Sequence, residues 1–116
     1  MAPGTGAPSG SSGPTGSSGP PPSVPHVQVT AFEYGFVLSR TTAPAGKIVF
    51  ELVNHGQDEH NLNVESSEGV IDGSLPNTLP GHIREMELEL GPGTYTLFCS
   101  LPGHEAMGMK AKLVVE

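Results

Sequence analysis

One thiol, one imidazole and two thioethers lie close together near the end of this chain. Cys99 is followed by Ser-Leu-Pro-Gly and then by His104, and Met107 and Met109 come directly behind. The chain has one cysteine, so an intramolecular disulfide and a two-cysteine metal site are both excluded. A thiolate and an imidazole with a weak axial thioether suit copper, because this ligand set accommodates both oxidation states with little rearrangement. The segment therefore indicates a copper site that needs one more strong ligand from elsewhere.

A second segment offers that ligand. The run from Asn54 to Glu59 is polar and contains a glycine, as expected of a turn, and His60 follows it at the start of an alternating stretch, His-Asn-Leu-Asn-Val. We therefore select His60 as the third strong ligand. The remaining histidines also lie in polar surroundings and are interpreted as solvent-facing: His26, His55 and His82.

The composition divides the chain into two parts. Residues 1–25 are almost entirely Gly, Pro, Ser, Thr and Ala, which predicts a disordered linker, and residues 26–116 form the predicted domain. All 12 acidic and all five basic side chains lie after residue 25, so the formal charge of −7 belongs to the domain. This charge argues against a nucleic-acid partner. It would steer the domain toward a basic protein, or it serves solubility alone.

The domain shows period-two patterning in short runs, which predicts an all-β sandwich of about seven strands. In the run 84–90, apolar residues alternate with glutamates, so that Met86, Leu88 and Leu90 should face the core. The segment between Glu65 and His82 is rich in Gly, Pro, Ser and Asn, and we expect no strand there. The predicted strands are 27–32, 36–39, 47–53, 61–64, 84–90, 94–99 and 110–115.

Taken together, these segments resemble the cupredoxin family of type 1 blue copper proteins, such as plastocyanin, azurin and rusticyanin. The run from Tyr95 to Met109, Tyr-Thr-Leu-Phe-Cys-Ser-Leu-Pro-Gly-His-Glu-Ala-Met-Gly-Met, is similar to the C-terminal copper loop of that family. The run from Asn54 through His60-Asn61-Leu62 is similar to the segment that carries its first histidine. The resemblance covers residues 27–115 in order.

The resemblance implies a Greek-key β-sandwich with one copper ion near one end. By position, the family's ligands fall on His60, Cys99, His104 and Met109. Met107 is the alternative axial residue, but Met109 matches the five-residue spacing after the histidine and leads directly into the last strand. The family also implies a hydrogen bond from Asn61 to the loop near Ser100.

The function implied is one-electron transfer by Cu(II)/Cu(I) cycling, without enzymatic activity. The alternative is a copper-sequestering or copper-delivery module that uses the same ligands. Expected partners are redox proteins such as a cytochrome or a terminal oxidase domain, docking on an apolar patch near the His104 edge.

We expect a monomer in an extracytoplasmic location, periplasmic, cell-surface or membrane-tethered through the N-terminal linker. The sequence has no apolar run long enough to span a membrane and no signal-peptide pattern. Because the leader resembles a tether, we interpret the chain as a mature fragment of a longer secreted or membrane-anchored protein.

Overall fold

The computed structural model describes residues 24–116. Nearly all of the predicted linker, residues 1–23, lies outside the described residues. The described part contains nine strands, and none of its segments is a helix long and apolar enough to cross a membrane. The strands are β1 (His26–Phe32), β2 (Gly35–Leu38), β3 (Thr42–Ala43), β4 (Gly46–Asn54), β5 (His60–Glu65), β6 (Ile71–Thr78), β7 (Ile83–Leu90), β8 (Gly93–Phe98) and β9 (Lys110–Val115).

The strands form two sheets, which confirms the predicted all-β sandwich. One sheet has the order β2-β1-β4-β7, and the other has the order β3-β9-β8-β5-β6. In the first sheet β1 runs parallel to β4, and the other pairs are antiparallel. In the second sheet β3 and β9 are parallel, and the remaining pairs are antiparallel.

The core lies between the sheets and is built from alternate residues of each strand. In β7 the side chains of Met86, Leu88 and Leu90 pack toward the core while the glutamates are exposed, as the alternation predicted. Complete burial of a side chain such as Leu or Phe contributes about 1.5–3 kcal/mol each. The fully buried apolar side chains include Val27, Val29, Ile48, Phe50, Leu52, Leu62, Val64, Leu97 and Leu113.

Two strands were missed by the sequence prediction. The segment expected to be irregular contains β6, which lies at a sheet edge and pairs with β5 alone. An edge position tolerates Pro76, since one side of the strand needs no ladder hydrogen bonds. Gly73 permits a close approach, because a Cβ there would overlap the Leu88 side chain of the opposite sheet. The second missed strand, β3, has only two residues.

The topology brings two separate parts of the chain to one end of the sandwich. Phe98, the last residue of β8, lies opposite Asn63 of β5 and Lys110 of β9. Cys99, one residue beyond β8, is therefore next to the beginning of β5, where His60 lies. On the other sheet, the parallel pairing of β1 and β4 ends with Ala31 opposite Asn54. The turn after β1 consequently lies beside the turn that leads into His60.

Candidate functional site

Three side chains with metal-binding atoms converge at this end of the sandwich. The ligand atoms of His60, Cys99 and His104 all lie within 4.8 Å of one another. Cys99 Sγ is 3.5 Å from His104 Nδ1, and the two imidazole ring centroids are 5.2 Å apart. The structure thus brings together the three residues that the sequence predicted as strong ligands, although the segments of His60 and Cys99 are 39 residues apart.

The three side chains differ in their access to solvent. His60 and Cys99 are fully buried, whereas His104 is partly exposed. Burial of the thiol excludes water from the sulfur and leaves the His104 ring as the side of the site that faces outward. The other histidines of the domain, His26, His55 and His82, are exposed, as predicted.

The buried ring of His60 has one nitrogen paired and one unpaired. His60 Nε2 lies 2.6 Å from Glu33 Oε2, while Nδ1 is buried and has no hydrogen-bond partner among the described residues. A buried polar atom without a partner calls for an explanation. A metal ion bound between the two imidazoles and the thiolate would satisfy Nδ1, so the residues present fit such an ion.

The carboxylate of Glu33 is held by main-chain donors as well as by His60. The N–H of Gln57 donates to Oε1 at 2.8 Å, and the N–H of Asp58 donates to Oε2 at 3.1 Å. These two bonds, together with the smaller effects of the His60 hydrogen bond and charge, lower the pKa of Glu33 from 4.5 to about 2. Glu33 is therefore an anion that accepts the Nε2 proton of His60.

The loop between β8 and β9 is closed by its own main chain. The N–H of His104 donates to Leu101 O at 3.0 Å, and the turn passes through Gly103 with φ +80°. This left-handed conformation favours glycine, which lacks a Cβ. The loop then returns so that Met109 N donates to His104 O and Met109 O accepts from Cys99 N, both at 3.1 Å.

The two methionines of this loop occupy different environments. Met109 is fully buried and bonded through its main chain to both Cys99 and His104, whereas Met107 is 61 % exposed. The buried thioether is the one that the family resemblance assigned as the axial ligand. Met107 lies on the surface of the same loop, as expected for a residue beside the exposed side of His104.

A polar side chain ties β5 to the cysteine loop. Asn61 Oδ1 accepts from Ser100 N at 2.8 Å, and Asn61 Nδ2 donates to Ser100 Oγ and to Asn77 Oδ1, each at 3.0 Å. The predicted hydrogen bond between Asn61 and the loop is therefore confirmed. It joins the residue after His60 to the residue after Cys99.

Sequence reasoning missed two residues of the site. The sequence assigned Glu33 and Tyr34 no role in the site. The Tyr34 ring meets the His104 ring edge-on, with the two ring centroids 5.0 Å apart. Both lie in the turn after β1, far from the ligands in sequence. The one signal that leads to them is the parallel β1–β4 pairing, which places this turn against the turn before His60 and which a sequence pattern does not reveal.

Comparison with known proteins agrees with the geometry. A family described as a cupredoxin-like domain matches residues 15–115. No curated protein matches the chain in sequence.

Solved structures share the same fold at low sequence identity. An auracyanin from Roseiflexus castenholzii superposes with a TM-score of 0.68 at 20% identity, over 78% of this chain and 96% of its own. Auracyanin A from Chloroflexus aurantiacus, described as a "blue" copper protein, gives 0.63 at 20% identity, over 78% and 98%. Rusticyanin from Thiobacillus ferrooxidans gives 0.66 at 20% identity, over 78% and 76%. These similarities establish the fold.

Proposed function

The chain belongs to the cupredoxin-like family, and on that premise we propose that it is a single-copper electron carrier. The observation that carries the proposal is the convergence of the His60, Cys99 and His104 ligand atoms within 4.8 Å. One thiolate and two imidazoles would hold the copper ion of a type 1 site, and Met109 would contribute its thioether as a weak further donor. The auracyanins and rusticyanin, which share the fold, support the same assignment.

The protein's part is to hold these donors in one arrangement. Bound copper would supply the chemistry, exchange of one electron between Cu(II) and Cu(I). Asn61 and Ser100 hold the cysteine loop against β5, and burial of Cys99 keeps water from the sulfur. A rigid ligand set favours fast electron transfer because neither oxidation state requires the side chains to move.

Electrons would enter and leave through His104, since it is the one partly exposed residue among the four proposed ligands. Around it the surface carries Tyr34, which is 39% exposed, and the exposed loop residues Pro102, Ala106 and Met107. This apolar surface would dock a redox protein such as a cytochrome or a terminal oxidase domain. The net charge of −7 favours a basic partner surface. We further propose that the chain acts as a monomer in an extracytoplasmic location.

An enzymatic role has less support. Oxidases and nitrite reductases of related fold need further copper sites, and the sequence contains no His-x-His pair and only one cysteine. The described residues contain one group of candidate ligands, the one already assigned. A copper-delivery role uses the same ligands and is separated from electron transfer by the following experiment.

The test is repeated oxidation and reduction of the copper-loaded chain in excess Cu(I)-specific chelator. An electron carrier keeps its copper through many cycles, and its visible spectrum returns each time. Transfer of the copper to the chelator after the first reduction would instead assign the chain to copper delivery. The same cycles without chelator separate metal loss from damage to the protein.

A further inference from the structure

We propose that Glu33 is a positioning residue that fixes His60 as an Nδ1 ligand and, through its charge, favours the oxidised over the reduced ion. The inference rests on the proposed function, because it names how one of the four ligands is tuned. The distinguishing feature is a carboxylate at a buried ligand histidine, 27 residues away in sequence.

The hydrogen-bond pattern determines which nitrogen of His60 is available. A carboxylate oxygen can only accept, so the 2.6 Å contact places the proton on Nε2 and leaves the lone pair on Nδ1. Nδ1 is also the buried atom without a partner. Glu33 thus holds the ring through Nε2 and leaves Nδ1 as the nitrogen free to bind a metal ion together with Cys99 and His104.

Glu33 is itself fixed, which an orienting group requires. Its two oxygens accept from the main-chain N–H groups of Gln57 and Asp58, so the carboxylate is bound by the same turn that carries the chain into His60. The parallel register of β1 and β4 brings the two turns together, and His55 N donates to Ala31 O at 2.8 Å beside them.

Gly56 leaves space for this arrangement. A Cβ at position 56 would overlap the Glu33 carboxylate and would lie 2.9 Å from His60 Nε2. Any side chain there must therefore shift the carboxylate, the His60 ring or both, which disturbs the contact between them. The glycine is the place where the chain can be changed to move the Glu33 charge without removing it.

The charge has a predictable electronic effect. An imidazole that donates from Nε2 to a carboxylate is more basic at its metal-binding nitrogen. A more basic ligand, with a negative charge behind it, stabilises Cu(II) more than Cu(I), because the attraction grows with the charge of the ion. Glu33 should therefore lower the reduction potential of the bound copper.

Three variants distinguish the effect of the Glu33 charge, the effect of the Glu33 position and the effect of another carboxylate near His60. Glu33→Gln removes the charge, and Gly56→Ala displaces the carboxylate but keeps its charge. Glu59→Gln is the matched control, because Glu59 carries the same charge next to His60 but is exposed and makes no side-chain hydrogen bond to it. Each variant is compared with the wild-type chain.

The first readout needs no copper. In nuclear magnetic resonance spectra of the reduced apoprotein, we expect a downfield Nε2–H resonance of His60 in the wild type and in Glu59→Gln. In Glu33→Gln and Gly56→Ala it should shift upfield. The same spectra report whether each variant is folded. A wild-type ring protonated on Nδ1, or a resonance unaffected by both site variants, would overturn the proposal.

The second readout uses the copper ion. We expect the Kd for Cu(II) to rise about 10–100-fold in Glu33→Gln and Gly56→Ala, with a smaller rise for Cu(I) and hence a higher reduction potential. Glu59→Gln should stay close to wild type. Equal shifts in all three variants, or none in the site variants, would reject Glu33 as the tuning group. If the wild type shows no thiolate–copper absorption, the proposed function fails, while the apoprotein spectra still decide the position of the proton.

Discussion

Asn61 and Ser100 are joined by two hydrogen bonds, one in each direction. Asn61 Oδ1 accepts from the Ser100 main-chain N–H at 2.8 Å, and Asn61 Nδ2 donates to Ser100 Oγ at 3.0 Å. Each residue directly follows a proposed ligand, so the pair fixes the distance between the His60 strand and the Cys99 loop. The largely buried amide therefore holds the site together before a metal binds.

Replacing this amide should weaken both the fold and the site. Asn61→Ala removes the bonds to Ser100 and Asn77, and we expect a loss of about 1–3 kcal/mol in the free energy of unfolding of the apoprotein. Denaturant unfolding measures this loss, and a copper titration should show weaker binding. Asn77→Ala is the control, since it removes one exposed partner and should change stability by no more than about 0.5 kcal/mol. Equal losses in both variants would contradict a clamping role.

The turn before His104 depends on a left-handed residue. Gly103 has φ +80°, and no heavy atom lies within 4 Å of where its Cβ would be, so Gly103→Ala introduces backbone strain without a steric clash. We expect this variant to lose about 1–2 kcal/mol in the free energy of unfolding. Gly91→Ala is the matched control, because that glycine also faces open space but has no positive φ. Thermal unfolding of the two apoproteins should therefore separate them.

The two methionines should respond differently to the same change. Met109→Leu conserves volume in a fully buried position, so its cost in the free energy of unfolding should stay below about 1.5 kcal/mol. It should nevertheless alter the visible spectrum and the potential of the copper-loaded chain, because it removes the thioether that is proposed as the axial ligand. Met107→Leu should leave both unchanged. A spectral change in Met107→Leu with none in Met109→Leu would reverse the axial assignment.

Tyr95 anchors the β7–β8 turn. Its hydroxyl donates to Gly91 O at 2.8 Å, and its ring is buried. Tyr95→Phe should cost about 1 kcal/mol in the free energy of unfolding, because that hydrogen bond is lost while the apolar packing remains. Denaturant unfolding of wild type and variant measures the difference. A variant as stable as the wild type would show that water replaces the bond.

The same tyrosine predicts a pH dependence. Burial, and then the nearby carboxylate of Asp72, raise the pKa of Tyr95 above 10.0, against a smaller opposing effect of the Gly91 hydrogen bond. The folded state therefore holds this proton more tightly than the unfolded chain, so the associated stability is complete below pH 10.0 and is lost as pH rises through the folded pKa. Absorbance titration of Tyr34→Phe, where Tyr95 is the remaining tyrosine, should show ionisation above pH 10. Ionisation at or below pH 10 would contradict this cause.

Much of the fold was predictable because the alternation of apolar and polar residues along a strand indicates which of its faces is buried. The glutamates of β7 identified the core face, and all seven predicted strands coincide with observed ones to within about one residue at each end. The strand β6 was missed because an edge strand does not need unbroken periodicity. Gly73 and Pro76 had indicated a loop. In the structure Gly73 allows close contact with the opposite sheet, and Pro76 is tolerated because the strand lies at a sheet edge.

The proposed ligands could be selected from the sequence, whereas the residues around them could not. Cys99 and His104 are close in sequence, so their types and spacing indicated their chemistry, and the family resemblance assigned Met109 as the proposed axial residue. Glu33 was not predictable, since its role follows from the parallel pairing of β1 and β4 and from the absence of a side chain at Gly56. These relationships can be seen only when the positions of both strands in the fold are known.

Titration of the purified apoprotein with Cu(II), followed by visible absorption and with Cys99→Ser measured beside it, shows whether the cysteine sulfur binds copper. We predict an intense blue charge-transfer band that saturates at one copper per chain and is abolished in Cys99→Ser. A pale, ordinary Cu(II) spectrum, the same in both proteins, would contradict a thiolate–copper site and with it the assignment of this chain as an electron carrier.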